Sequence, residues 1–192
     1  MKDLFIKNMV CPRCVSAIEQ VLQEQGLDFE EVKLGYVRLK ADLLDTRKIE
    51  SLRTQIKSLG FELLDDSKEK LVESMKTFII NKIFHQSNIA LKLNWSDLIA
   101  QELSHDYNYL SALFSSSEGT TIEQYIIRQK IERAKELISY KELSLKEIAW
   151  QLDYSSVAHL SSQFKRITAI TPSQYRARID STHERNNLDS VI

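Results

Sequence analysis

The spacing of apolar residues changes period near residue 66. Before it, Leu4 and Ile6 alternate with Lys2, Asp3 and Lys7, the mark of a strand with one buried face. From about Cys14 to Gln25 the apolar positions Cys14, Ile18, Val21 and Leu22 recur at helical spacing, and Gly26 supplies a stop. A hairpin is expected next, with Val32 and Leu34 in one strand, a turn near Gly35, and Val37, Leu39 and Ala41 in the other. Thr46 opens a second helix, striped by Ile49, Leu52, Ile56 and Leu59 and ended by Gly60. Phe61 to Leu64 makes a last short strand. The order βαββαβ is that of a ferredoxin-like domain, expected over residues 1–66.

Beyond it the period is helical throughout. Ser67 begins a long helix with a stripe of Leu71, Met75, Phe78, Ile79 and Ile83. Such a stripe is expected to pack as the first helix of a second domain; the alternative, pairing two subunits in a homodimer, is weakened by a stripe only about two heptads long, and Met75 on it reads as packing. Farther along, Ile99, Ala100, Leu103, Leu110 and Phe114 are answered by Ile148, Ala149, Leu152, Leu160 and Phe164, with the turn one residue shorter in the first copy. This internal repeat predicts two helix-turn-helix units. A helix from Thr121 to Tyr140, burying Ile122, Tyr125, Ile126, Ala134, Leu137 and Ile138, is expected to join them and set their spacing. In the second copy Asp153-Tyr154-Ser155-Ser156 offers short polar side chains to turn the chain and cap the next helix. The expected architecture is therefore α+β: the ferredoxin-like domain, an all-α domain over 67–180, and a polar tail over 181–192 too poor in apolar residues to fold alone.

Composition narrows the function. The chain of 192 residues is 43% hydrophobic and 28% charged, as in an ordinary soluble protein. No apolar run approaches the roughly 20 residues of a membrane helix, and Met1-Lys2-Asp3 opens no signal peptide, so a cytoplasmic location away from membranes is expected. A formal charge of −1 excludes wholesale attraction to nucleic acid, and any DNA contact must use local basic surface. Between Phe164 and Arg178 the charges are Lys165, Arg166, Arg176 and Arg178, with no acid among them. No Ser-His-Asp arrangement or paired carboxylates suggest catalysis, and four glycines are too few for a nucleotide cradle; no enzyme is expected. His85, His105, His159 and His183 lack metal-binding spacing, and His159 reads equally as a phosphate contact or a packing residue.

Only two cysteines are present, Cys11 and Cys14, which points to metal or redox chemistry instead of a disulfide scaffold. Two thiolates on a loop at a helix start can grip one soft ion, because the helix N-terminus favours the deprotonated form. Two sulfurs alone suit Cu(I); Zn(II) is the second candidate, since a structural zinc site wants four ligands. A thioredoxin-like redox pair and a metal-free relic are the other readings, the first weakened because the only other proline is Pro172.

The segments IERAKELI, KEIAWQLDYSS, HLSSQFKR and TPSQYR follow one another as in the second helix-turn-helix of AraC/XylS-type transcription regulators, which the C-terminal half resembles. YNYLSALFSSSEGTTIEQYI resembles that family's first unit, including Gly119. The resemblance implies double-stranded DNA as partner, with Asn108, Ser111 and Ala112 facing bases in one unit and Val157, Ala158, Ser161 and Ser162 in the other. Where the family commonly carries arginine or glutamine, these residues are small. Phosphate contacts and DNA shape should therefore carry much of the binding, through Lys165, Arg166 and helix N-termini capped by Ser155 or Ser156. MVCPRC with the closing LGFEL resembles the heavy-metal-associated domain of copper chaperones and metal-transporting ATPases, with Asn8 where that family usually has glycine. Together the two resemblances imply a transcription regulator responsive to a soft metal ion. The alternative is a metal chaperone or buffer whose helical half docks onto proteins.

Overall fold

The computed structural model describes residues 2–40, 45–85 and 94–184, the side chains of 180–184 aside. Strand β1 (Lys2–Lys7), helix α1 (Pro12–Glu24), strands β2 (Phe29–Lys33) and β3 (Tyr36–Leu39), helix α2 (Thr46–Ser58) and strand β4 (Glu62–Leu64) follow in that order. The strands form one antiparallel sheet, ordered β2-β3-β1-β4. Leu4 lies opposite Val37 and Ile6 opposite Leu63, so alternate residues of neighbouring strands face one side together. That side buries Leu4, Ile6, Val37, Leu39 and Leu63, and α1 and α2 contribute the buried Ile18, Leu22, Leu52 and Ile56.

Two details differ from expectation. Helix α1 starts at Pro12, ahead of Cys14, because a proline in the first turn gives up only an N–H that has no partner there. Leu59 is 50% exposed, since α2 has ended and the chain turns into Gly60 before the stripe reaches it. Ala41 lies outside the described residues.

Helix α3 (Ser67–Ile80) is capped by Asp66, whose carboxylate accepts from the N–H groups of Lys68 and Glu69 at 2.8 and 3.1 Å, and it runs on into a π-helical turn, Asn81–His85. Its buried face centres on Val72, Met75 and Ile79; Leu71 and Phe78, expected on that face, are half-buried. The helix lies close to the β2–β3 turn, where a Cβ on Gly35 would stand 2.7 Å from Thr77 Oγ1. Only glycine allows that approach.

Six more helices follow among the described residues, α4 (Trp95–Leu103), α5 (Tyr107–Glu118), α6 (Ile122–Tyr140), α7 (Leu145–Gln151), α8 (Val157–Thr168) and α9 (Pro172–Glu184). The chain forms two compact units, Met1–Ile80 with Ile99–Gly119, and Asn81–Leu98 with Thr120–Ile192. This division departs from a boundary at residue 66. Helix α3 packs on β1 and on α5, which draws α5, the second helix of the first expected helix-turn-helix and so its recognition helix, into the unit that holds the sheet. Helix α9 reaches Glu184, past the expected end at 180, while 185–192 lie outside the described residues.

The second unit has its own core of Ile131, Ala134, Leu137, Ile138, Ile148, Ala149, Leu152, Tyr154, Leu160 and Phe164, with Val157 and Tyr175 packed against it. Helix α7, seven residues long, is held by a capping box. Glu147 N–H donates to Ser144 Oγ at 3.3 Å while the Ser144 N–H donates to the Glu147 carboxylate at 2.7 Å.

The two recognition helices end alike but on different residues. Gly119 caps α5 at φ 65, and Ala169 caps α8 at the same φ. A left-handed conformation costs a residue with a Cβ about 1–2 kcal/mol, and glycine returns part of that gain as unfolded-state entropy. Ala169→Gly should therefore stabilise the chain by about 0.5–1 kcal/mol, and Gly119→Ala should destabilise it similarly, since nothing within 4 Å would crowd the new methyl. Thermal melts should move in opposite directions for the two variants, and movement in one direction would refute the argument.

Candidate nucleic-acid interface and thiol pair

Each helix-turn-helix turns on a non-glycine residue in the left-handed region, Ser104 at φ 54 after α4 and Asp153 at φ 56 after α7. Short polar side chains tolerate that region better than most. The following helices are capped in the same style. Asp106 accepts from the N–H groups of Asn108 and Tyr109 at 2.9 and 3.1 Å, and Ser156 accepts from His159 N–H at 3.1 Å. Ser155 is not the cap; its hydroxyl lies 3.1 Å from His159 Nδ1.

Aligning Leu110 and Phe114 with Leu160 and Phe164, all fully buried, puts the outward faces of α5 and α8 in register. On α5 that face carries Asn108, Tyr109, Ala112 and Ser116 exposed, with Ser111 and Ser115 half-buried. On α8 it carries Ala158, His159, Ser162, Lys165 and Arg166 exposed, with Ser161 half-buried. Asn108, Ser111, Ala112, Ala158, Ser161, Ser162, Lys165 and Arg166 share these faces; Val157 is half-buried and packs against the core of the second unit. The first face has no charge where the second has Lys165 and Arg166.

Sequence reasoning passed over Tyr109, 47% exposed and stacked on His105 at 6.0 Å. It is the counterpart of His159, whose ring nitrogens engage Ser155 and Gln163 and whose ring meets Tyr154 edge-on at 5.2 Å. Arg176, counted among the basic charges, is already used. Its guanidinium donates to the Leu143 carbonyl at 2.8 Å and ties α9 to the start of the second helix-turn-helix.

Beneath the second turn lies Lys130, 8% exposed. Its Nζ stands over the rings of Tyr154 and Trp95, 5.4 and 5.9 Å from their centroids, and 4.0 Å from Asp153 Oδ2. Burial lowers its pKa from the ordinary lysine value, with Asp153 opposing, and burial raises that of Tyr154. Between the lowered value and the ordinary one near 10.5 the unfolded chain binds more protons than the folded one, so Lys130 makes stability rise with pH in that window. Lys130→Met should remove this contribution. Denaturant melts between about pH 8 and 10, below the ordinary tyrosine range, should show a shallower rise for the variant, and equal slopes would contradict it.

At the other candidate site, Cys11 holds the N-cap position of α1 and Cys14 sits in its first turn, with the two sulfurs 3.4 Å apart. The Cys11 thiol is held below the ordinary thiol value, first by the Cys14 backbone N–H and then by the Cys14 side chain; partial desolvation opposes this, and Arg13 adds its N–H and charge. At this separation one ion about 2.3 Å from each sulfur could touch both only from off the line that joins them. Among the described residues no cluster of three or more His, Cys, Asp or Glu side chains could hold a metal.

A family model described as a helix-turn-helix domain matches residues 99–178, spanning both turns, both recognition helices and the helix between them. Residues 99–178 thus resemble a helix-turn-helix domain. Among curated proteins, the HTH-type transcriptional regulator YtdP of Bacillus subtilis is 25% identical over 169 residues, covering 84% of this chain and 21% of that protein. The HTH-type transcriptional activator RhaR of Salmonella dublin is 30% identical over 110 residues, covering 57% of this chain and 36% of that protein. The probable transcriptional regulator LumQ of Photobacterium leiognathi is 28% identical over 108 residues, with 56% and 43% covered. These relatives are named as transcription regulators, not enzymes, and the chain spans less than half the length of each. Among solved structures, the C-terminal domain of AraT from Geobacillus stearothermophilus is 26% identical, with a TM-score of 0.48 and coverage of 56% and 84% of the two chains. Among the described residues no helix is long and apolar enough to cross a membrane. The matched region thus draws on both compact units, since α5 belongs to the unit that holds the thiol pair.

Proposed function

We propose that the chain is a transcription regulator whose AraC-type domain binds double-stranded DNA with an affinity set by a soft metal ion on Cys11 and Cys14. The observation that carries this reading is the pairing within one compact unit of a two-sulfur donor set and a recognition helix. The strand order and the βαββαβ element order support a ferredoxin-like, heavy-metal-associated character for the sheet domain. Two thiols, with no third such donor grouped with them among the described residues, favour Cu(I) over Zn(II). Residues 1–66 are proposed as the metal module, and Lys165, Arg166, Ser162, Ala158 and the exposed face of α5 as the DNA contacts. A bound ion would supply a fixed loop geometry around residues 11–14, and the two cysteines would hold it. DNA affinity then changes by the difference in how the metal-free and metal-bound forms present their recognition helices.

The test is a fluorescence-anisotropy titration of a DNA fragment selected from a random pool, with and without Cu(I). Wild type should change affinity by about fivefold or more, and Cys11→Ser/Cys14→Ser should not respond. Identical responses of the two proteins would end the proposal. The uncharged face of α5 favours a second reading, a metal buffer that docks on proteins, and failure to retain any DNA at roughly 0.1 M salt would establish it over the first.

A further inference from the structure

The thiol loop and the first recognition helix share one unit, and a line of polar contacts runs between them. Asn8, three residues before Cys11, has φ 73 and is held twice. Its backbone N–H donates to Glu73 Oε1 at 3.2 Å, and its Nδ2 donates to the Gly60 carbonyl at 3.1 Å. Met9 beside it is buried, so the loop is anchored at its base while Val10 projects into solvent. Glu73 lies on α3 and is 5% exposed, a carboxylate that needs partners to stay there. Its Oε2 lies 3.5 Å from Lys76 Nζ, one turn along the helix. The same Nζ lies 3.4 Å from Oε1 of Glu118, the last residue of α5.

We infer that Glu73 and Lys76 form a relay coupling the Cys11–Cys14 loop to the C-terminal end of α5, so that ligation of the thiols changes how the first recognition helix is held. The inference rests on the metal-responsive reading above and names its route. Lys76 is almost equally far from two carboxylates, one bonded to the loop and one on the recognition helix, and its charge can favour either. When ligation moves the loop backbone, Glu73 loses the Asn8 N–H and turns its whole charge on Lys76. Lys76 is then drawn from Glu118, and the end of α5 is released. A cavity of about 250 Å³, lined by Lys7, Glu69, Glu73, Ser117 and Glu118 among others, leaves these side chains room to exchange partners. Such a two-arrangement element is what energetic coupling between sites requires.

The experiment compares full-length wild type with Lys76→Met and Glu118→Gln, near-isosteric changes at partly exposed positions. Three quantities are read with and without Cu(I): DNA affinity, Cu(I) affinity by competition with a chromogenic chelator, and hydrogen exchange of the amides of residues 115–119. Wild type should show a DNA-affinity ratio of about fivefold or more and an exchange response at 115–119, while both variants keep Cu(I) affinity and metal-free DNA binding within about twofold yet lose both responses. Variants that retain the wild-type ratio and exchange response would overturn the relay. If Cu(I) alters exchange at 115–119 in wild type but not in the variants, while DNA affinity is unmoved, the relay stands and the regulatory reading fails. No exchange response in wild type would overturn the relay itself.

Discussion

Replacing Lys165 and Arg166 together with alanine should weaken DNA binding roughly tenfold per residue and lower the slope of log affinity against log salt by about one for each. The reason is scarcity. The chain carries a formal charge of −1, so it gains nothing from a general positive field. The outward face of α5 is uncharged, and Arg176 is engaged with the Leu143 carbonyl. Lys165 and Arg166 are exposed on the last turns of α8, on the same outward face as the small residues Ala158 and Ser162. Their loss should be felt about equally on selected and unrelated DNA, because phosphate contacts position the protein without reading sequence. Anisotropy titrations at several salt concentrations would decide. An unchanged slope would remove these residues from the interface, and a loss confined to the selected fragment would make them base-reading residues.

The apolar residues were readable because period and burial are tied. The recurrence of Leu110 and Phe114 as Leu160 and Phe164 located both recognition helices, and the alternation of Leu4 and Ile6 located the first strand. The capping box is equally readable in Ser144-Leu145-Lys146-Glu147, a serine followed three residues later by glutamate. Other features leave no such trace. The burial of Glu73 and Lys130 depends on partners 65 and 23 residues away, Asn8 and Asp153, which no local pattern announces. Tyr109 and His159 stand out only once the two helices are laid in register. The boundary near residue 66 follows a change of period, whereas the packed units follow which faces meet, and α3 meets both the sheet and α5. The thiol pair was legible as chemistry from its spacing alone, but its link to α3 passes through a backbone N–H, which every residue but proline has.

Phe164→Ala should cost about 3–5 kcal/mol, the range for removing a large aromatic ring from a core. Phe164 is fully buried among Leu137, Ile148, Leu152 and Leu160, and its ring meets Tyr175 edge-on at a centroid separation of 5.6 Å. Total stabilities of domains run about 5–15 kcal/mol, so this single change would consume a large share of what holds α7, α8 and α9 together. For a chain of this size the melting temperature should fall by about 2–4 °C per kcal/mol, or roughly 6–20 °C. His159→Ala, on the exposed face of the same helix, should change stability by less than about 0.5 kcal/mol, and the contrast separates a packing role from a surface one. Hydrogen exchange adds a sharper criterion, because the core that Phe164 fills is built from residues 131–164. Amides of α8 should lose protection in Phe164→Ala while those of β1 and β3 keep theirs, since the sheet buries its own residues against α1 and α2. Loss of protection across both units at once would mean that the chain unfolds as one body, and the recognition helices would then be coupled by global stability as well as by any relay through Lys76.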